Sequence, residues 1–197
     1  MKLLLIISLF LLAASNIVFA ADAEAGKTKA ATCIACHGVD GNSFNPEWPS
    51  LAGQDAAYLA KQLRNFKSGE RTNALMAPMI APLNDTDIDD LSAYFASQKL
   101  AEASTKEEFV ALGSKIYAGG TEGVMACTAC HGPTGAGLSA AGFPQVSGQK
   151  IQYVINQLNN FKTGTRSNDV NGMMRDISSA MSEEQIIAVA NYLAGLH

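Results

Sequence analysis

Two stretches of this 197-residue chain are near copies of each other. From Tyr58 the sequence runs YLAKQLRNFKSGERTN, and from Tyr153 it runs YVINQLNNFKTGTRSN, with nine of the sixteen positions identical. The shared residues include Gln62/Gln157, Phe66/Phe161, Gly69/Gly164 and Arg71/Arg166, and Trp48-Pro49 answers Phe143-Pro144 at the same offset of 95. Self-similarity on this scale means one structural unit built twice. The expected halves are residues 21–100 and 101–197, joined through a connector at 99–104. Each holds about 80 residues, which is small for a self-sufficient apolar core and points to a staple such as a disulfide, a metal or a cofactor.

Both halves carry the same elements. Opening helices are expected over 22–32 and 105–118, the second begun by a Thr105-x-x-Glu108 capping box and stopped by Gly119-Gly120. Helices over 55–67 and 150–162 end at Gly69 and Gly164. Closing helices fall at 86–98 and 182–196, the latter opened by Ser182-x-x-Gln185. Loops rich in Gly, Pro, Asn and Ser separate them, and no segment alternates as a strand does. The fold class is therefore all-α.

Residues 1–20 differ from the rest. Lys2, an apolar run from Leu3 to Leu12 broken only by Ser8, and a close on Val18-Phe19-Ala20 describe an export signal cut after Ala20. The rival, an uncleaved membrane anchor, is weakened by Ser15 and Asn16. A formal net charge of −4 argues against nucleic acid as a partner, because neutralising phosphates needs a basic face. The halves are charged alike, with 7 basic and 10 acidic residues in 21–100 and 6 and 8 in 101–197.

All four cysteines and two of the three histidines sit in one doubled pattern: Cys33-Ile-Ala-Cys36-His37 and Cys127-Thr-Ala-Cys130-His131. On a helical turn, positions i, i+3 and i+4 leave one face. Two thiols so placed can each add to a vinyl group of one haem, and the adjacent imidazole then lies beneath the porphyrin as an iron ligand. A four-cysteine zinc site, a thioredoxin-like redox pair and structural disulfides compete for the cysteines, but none requires the histidine. Two covalently bound haem c groups are therefore expected, with Cys33, Cys36, Cys127 and Cys130 as attachment points and His37 and His131 as iron ligands.

A sixth ligand decides between electron transfer and chemistry at the iron. Only His197 remains for two irons, so methionine is the next candidate. Registering the closing helices on Tyr94-Phe95 and Tyr192-Leu193 gives an offset of 98, at which Met76 alone falls on another methionine, Met174. Met79 and Met173 are the fallbacks, and Met79 and Met181 read as flexible core filler. Met125 lies on the attachment side. The repeated Tyr, Gln, Phe and Arg positions read as fold determinants, with a haem-propionate contact from Arg71 or Arg166 as the alternative.

With its two CHG endings, its Gly53-Gln54 and Gly148-Gln149 pairs and its late methionines, the chain resembles the dihaem cytochrome c4 family, two class I cytochrome c domains in tandem. The resemblance covers essentially everything after residue 20. It implies a periplasmic electron carrier, in some members loosely attached to the membrane. Such a carrier works between a quinol-oxidising cytochrome bc complex and a terminal oxidase or other acceptor. It also implies that the two haem domains face each other, and that Pro49 and Pro144 offer carbonyls to the ring N–H of His37 and His131. An iron closed by His and Met exchanges electrons only, so no catalytic residue is expected. The alternatives are a dihaem peroxidase, which needs an open iron and an acid–base group, and the haem subunit of a larger dehydrogenase.

Overall fold

The computed structural model describes residues 20–196, so the expected leader lies outside the described residues except for Ala20. Five helices form the first half: α1 (Ala23–Lys29), α2 (Ile34–His37), α3 (Ala56–Ser68), α4 (Met76–Ile80) and α5 (Asp85–Ala96). Five more form the second: α6 (Glu107–Gly119), α7 (Thr128–His131), α8 (Ile151–Lys162), α9 (Met173–Ser179) and α10 (Glu183–Ala194). Among the described residues there is no sheet, only the isolated bridges Thr121–Val124 and Leu138–Phe143. The all-α expectation holds.

Side-chain caps set four of the ten helix starts by satisfying orphan backbone N–H groups. Asp22 accepts from the N–H groups of Glu24 and Ala25, and Asp55 from that of Tyr58 at 2.8 Å. Asn84 with Asp87 and Ser182 with Gln185 make full capping boxes, which stand at the expected offset of 98. The Thr105 box does not form. Helix α6 starts at Glu107 behind Lys106, without a side-chain cap. Thr105 is instead docked against Gly195, where an added Cβ would lie 2.8 Å from the Thr105 nitrogen. Helices α4 and α9 are absent from the sequence reading. They are short, and Pro78 obscured the first of them, although proline is tolerated in a first turn.

The opening and closing helices cross in each half, α1 on α5 and α6 on α10. Glycine permits the approach: a Cβ on Gly26 would lie 2.0 Å from the Asp90 carbonyl oxygen, and one on Gly113 2.4 Å from Tyr192 Cβ. Gly113→Ala is therefore expected to cost about 1–3 kcal/mol through overpacking. Chemical denaturation of the holoprotein checks it, and an unchanged midpoint would show that the helices can part freely.

Each half has its own core. Ala30, Leu59, Leu91, Tyr94 and Phe95 cluster in the first, and eleven residues from Ile116 to Leu193 in the second. The halves then meet through a polar interface with pseudo-two-fold logic. Gln62 Oε1 accepts from Arg71 Nη1 at 2.9 Å and Arg166 Nη2 at 3.1 Å, while Gln157 Oε1 accepts from Arg71 Nη2 and Arg166 Nη1, both at 2.9 Å. Arg166 also donates to the Tyr58 hydroxyl, and Arg71 to that of Tyr153. Asn168 Nδ2 reaches Gln62 and Asn65 at 2.8 Å. Tyr58, Gln62, Gln157 and the two arginines recur in both copies because an isologous contact uses the same patch from each side. Leu100 of the connector touches both halves, lying near Gly53 and Gly148.

Candidate haem-attachment sites

The two motif turns have matching backbone hydrogen bonds. The His37 N–H donates to the Cys33 carbonyl at 2.9 Å and the Cys36 N–H to the same oxygen at 3.2 Å; His131 and Cys130 do the same to Cys127 at 2.9 and 3.2 Å. Both histidines are buried, and Nδ1 lies 2.9 Å from the Pro49 carbonyl oxygen in one half and from that of Pro144 in the other. The carbonyl can only accept, so Nδ1 carries the proton and Nε2 is left with its lone pair free. Burial lowers the pKa of both imidazoles, opposed in part by the proline bond, so the neutral form is favoured. The expectation for Pro49 and Pro144 is met.

A folded-back loop delivers each proline. The Gly41 carbonyl accepts from the N–H of Leu51 at 2.7 Å and of Ala52 at 3.2 Å; the Gly135 carbonyl accepts from Val146 and Ser147 at 2.8 and 3.2 Å. Both glycines have φ above +70°, and an added Cβ would come within 3.0 Å of the returning strand of loop. Local sequence thus forces the loop back onto the histidine.

The thiols are unpaired, and no group of three His, Cys, Asp or Glu side chains converges among the described residues. The zinc and disulfide readings therefore gain nothing from the geometry. Burial raises the Cys33 thiol above its ordinary pKa and pushes Cys127 up to about 11.

The methionines separate by environment. Met76 is half-buried on the first turn of α4, where Asn73 Oδ1 accepts its N–H at 3.0 Å. Met174 packs against the second core at the start of α9, which Asp169 holds by accepting from Arg175 Nε at 2.8 Å and from its N–H at 3.0 Å. Met181 is buried filler, as expected. Met79 is not: it is 46% exposed, because α4 turns it away from the core.

Most of the exposed large apolar side chains lie near these groups in sequence. Phe44 is 93% exposed and Leu75 67%; Val39, Met125, Leu138 and Val170 are exposed too, all within seven residues of a motif histidine, a motif cysteine or a candidate methionine. Exposed apolar side chains so close in sequence to the motif and methionine positions suit covering by a large flat apolar group.

The cytochrome c family model matches residues 23–99 and 110–197. Cytochrome c4 of Pseudomonas aeruginosa is 44% identical over the full length of both chains. The chain belongs to the dihaem cytochrome c4 family. Reduced cytochrome c4 from Pseudomonas stutzeri superposes with a TM-score of 0.88 at 43% identity, covering 90% of this chain and all of that one. A thiosulfate dehydrogenase electron acceptor of Stutzerimonas stutzeri is 39% identical over 85% of this chain and 80% of its own. The cytochrome c4 fold thus accounts for two tandem domains and two covalently bound haem c groups, with electron carriage as the activity. Sequence reasoning missed one feature of these sites, the contacts of Gln54 and Gln149 across the interface. Their repetition at an offset of 95 was the available signal.

Proposed function

We propose that the mature protein, residues 21–197, is a periplasmic shuttle that carries electrons and catalyses no reaction of its own. In this reading Cys33 and Cys36 hold one haem and His37 and Met76 close its iron; Cys127, Cys130, His131 and Met174 do the same in the second domain. The domain junction lies at 100/101. When bound, haem iron supplies a one-electron couple, and thioether ligation favours its reduced form. Pro49 and Pro144 fix the imidazole tautomer and raise its basicity. The observation that carries the reading is the doubled donor set, one neutral imidazole with a free Nε2 and one helix-borne, part-buried methionine per half.

Arg71 and Arg166 stand in no ion pair with a carboxylate among the described residues, and Arg166 is 8% exposed. Burial raises the pKa of the Tyr58 hydroxyl, but the charges of Arg166 and Arg71 outweigh it and bring the net pKa below the ordinary value. The same uncompensated charge suits haem propionates approaching the interface.

The donor is a quinol-oxidising cytochrome bc complex and the acceptor a terminal oxidase. Identity to a thiosulfate dehydrogenase electron acceptor favours a second donor, a thiosulfate-oxidising enzyme. Stopped-flow mixing of the oxidised protein with each purified donor, and of the reduced protein with oxidase, ranks the partners. In the same samples both haems should be low-spin and bind no carbon monoxide. A high-spin resting haem would instead mark a peroxidase.

A further inference from the structure

The proline carbonyl that meets each histidine belongs to a peptide whose N–H is also engaged, and its partner comes from the other half. The Pro49 carbonyl and the Ser50 N–H form one amide; that N–H donates to Gln149 Oε1 at 2.8 Å. Likewise the Pro144 carbonyl shares an amide with the Gln145 N–H, which donates to Gln54 Oε1 at 2.9 Å. Each glutamine returns a second bond, Gln149 Nε2 to the Ser50 carbonyl and Gln54 Nε2 to the Gln145 carbonyl, both at 2.9 Å. The next backbone N–H, of Lys150 or Asp55, also donates to the same glutamine oxygen. Two N–H donors on one side and a carbonyl on the other leave only one orientation for each amide.

We propose that Gln54 and Gln149 are positioning residues that act in trans, each setting the proximal histidine, and so the reduction potential, of the opposite domain. The inference rests on His37 and His131 being the iron ligands. Hydrogen bonds in series polarise one another, by about 10–30% per bond. An N–H that donates makes the carbonyl of its own amide a stronger acceptor. A stronger acceptor draws the Nδ1 proton and raises the basicity of Nε2. The more basic imidazole stabilises oxidised over reduced iron, so each glutamine lowers the potential of the haem it does not adjoin in sequence. The chain is continuous: imidazole, proline peptide, glutamine of the other half, twice over in opposite directions.

Mere adhesion of the halves would affect both haems alike. Trans control predicts a crossed pattern. Gln149→Met, which keeps length without an acceptor, should raise the potential of the haem on His37. Gln54→Met should raise that of the haem on His131. The expected change is on the order of threefold in the oxidation equilibrium, about 28 mV at 59 mV per tenfold, with the other haem moving less than a third as much. Redox titration of the holoprotein, followed by haem-methyl NMR signals assigned to each domain, reads both potentials together. Equal shifts, a larger shift in the variant's own half, or none would overturn the proposal.

A wild-type measurement guards against misfolded variants. The reduced holoprotein should show scalar coupling through the hydrogen bond from the Ser50 nitrogen to the Gln149 side-chain carbonyl carbon, and from Gln145 to Gln54. Its absence would also overturn the proposal. An error in the ligand assignment reads out separately, as a low-spin spectrum that survives His37→Ala and His131→Ala.

Discussion

Replacing Cys33 and Cys36 together by alanine should yield a mature protein one haem lighter, with its first half unfolded. The large buried apolar side chains of that half are few: Leu59, Leu91, Tyr94 and Phe95 in one cluster, with Ile80 and Ile88 buried outside it. A chain of about 80 residues with so small a core cannot offset its conformational entropy without help. Cys33 itself packs on this cluster, so the attached group would continue the core rather than sit beside it. Far-ultraviolet circular dichroism should lose roughly half of its helical signal. Cys127→Ala with Cys130→Ala should be milder, because the eleven-residue cluster of the second half includes Ile116, Tyr117, Leu158, Met181 and Leu193. Mass spectrometry counts the haems. Native helicity in the first variant would show that the polypeptide folds unaided and would refute the account.

The second large effect is expected at the methionines. Met76→Ala and Met174→Ala should each open one iron, abolish the weak methionine–iron band of that haem and admit carbon monoxide there. Axial-ligand identity spans about 0.8 V among haem proteins, and loss of the thioether should lower the affected potential by on the order of 0.1 V. Met79→Ala and Met173→Ala serve as controls. Met79 projects from α4 half-exposed, whereas Met76 has its backbone N–H held by Asn73. In the second half Asn171 and Gly172 both take left-handed φ, 53° and 75°, which turns the chain sharply into α9 with Met174 on the core side. A carbon monoxide adduct in Met79→Ala but not in Met76→Ala would reassign the first ligand.

The proposed carrier and the peroxidase alternative differ in what they require at the iron. Peroxide chemistry needs an open iron and an acid–base side chain beside it. The histidines of the described chain are His37 and His131, both locked to proline carbonyls. Arg71 and the buried Arg166 donate to glutamine and tyrosine oxygens at the interface. Their side chains bind the halves together, and the sequence reading of those positions as fold determinants agrees with this.

Local chemistry was legible without coordinates. The spacing of Cys33, Cys36 and His37 is a covalent and helical constraint within five residues, and so is that of Cys127, Cys130 and His131. Asp55, Ser182, Gly120 and the offset between the copies report equally local backbone needs. What lies far apart in the chain was not legible. Thr105 abandons its capping box for a contact 90 residues away, and Arg71 meets Gln157 across 86. Gln149 grips the peptide of Ser50 from 99 residues off. Hydrogen-bond partners at such separations follow from how two finished domains dock, and side-chain periodicity carries no information about docking. The sequence determined two haem-binding units by itself; only the tertiary structure decided that each unit grips the peptide beside the other's histidine.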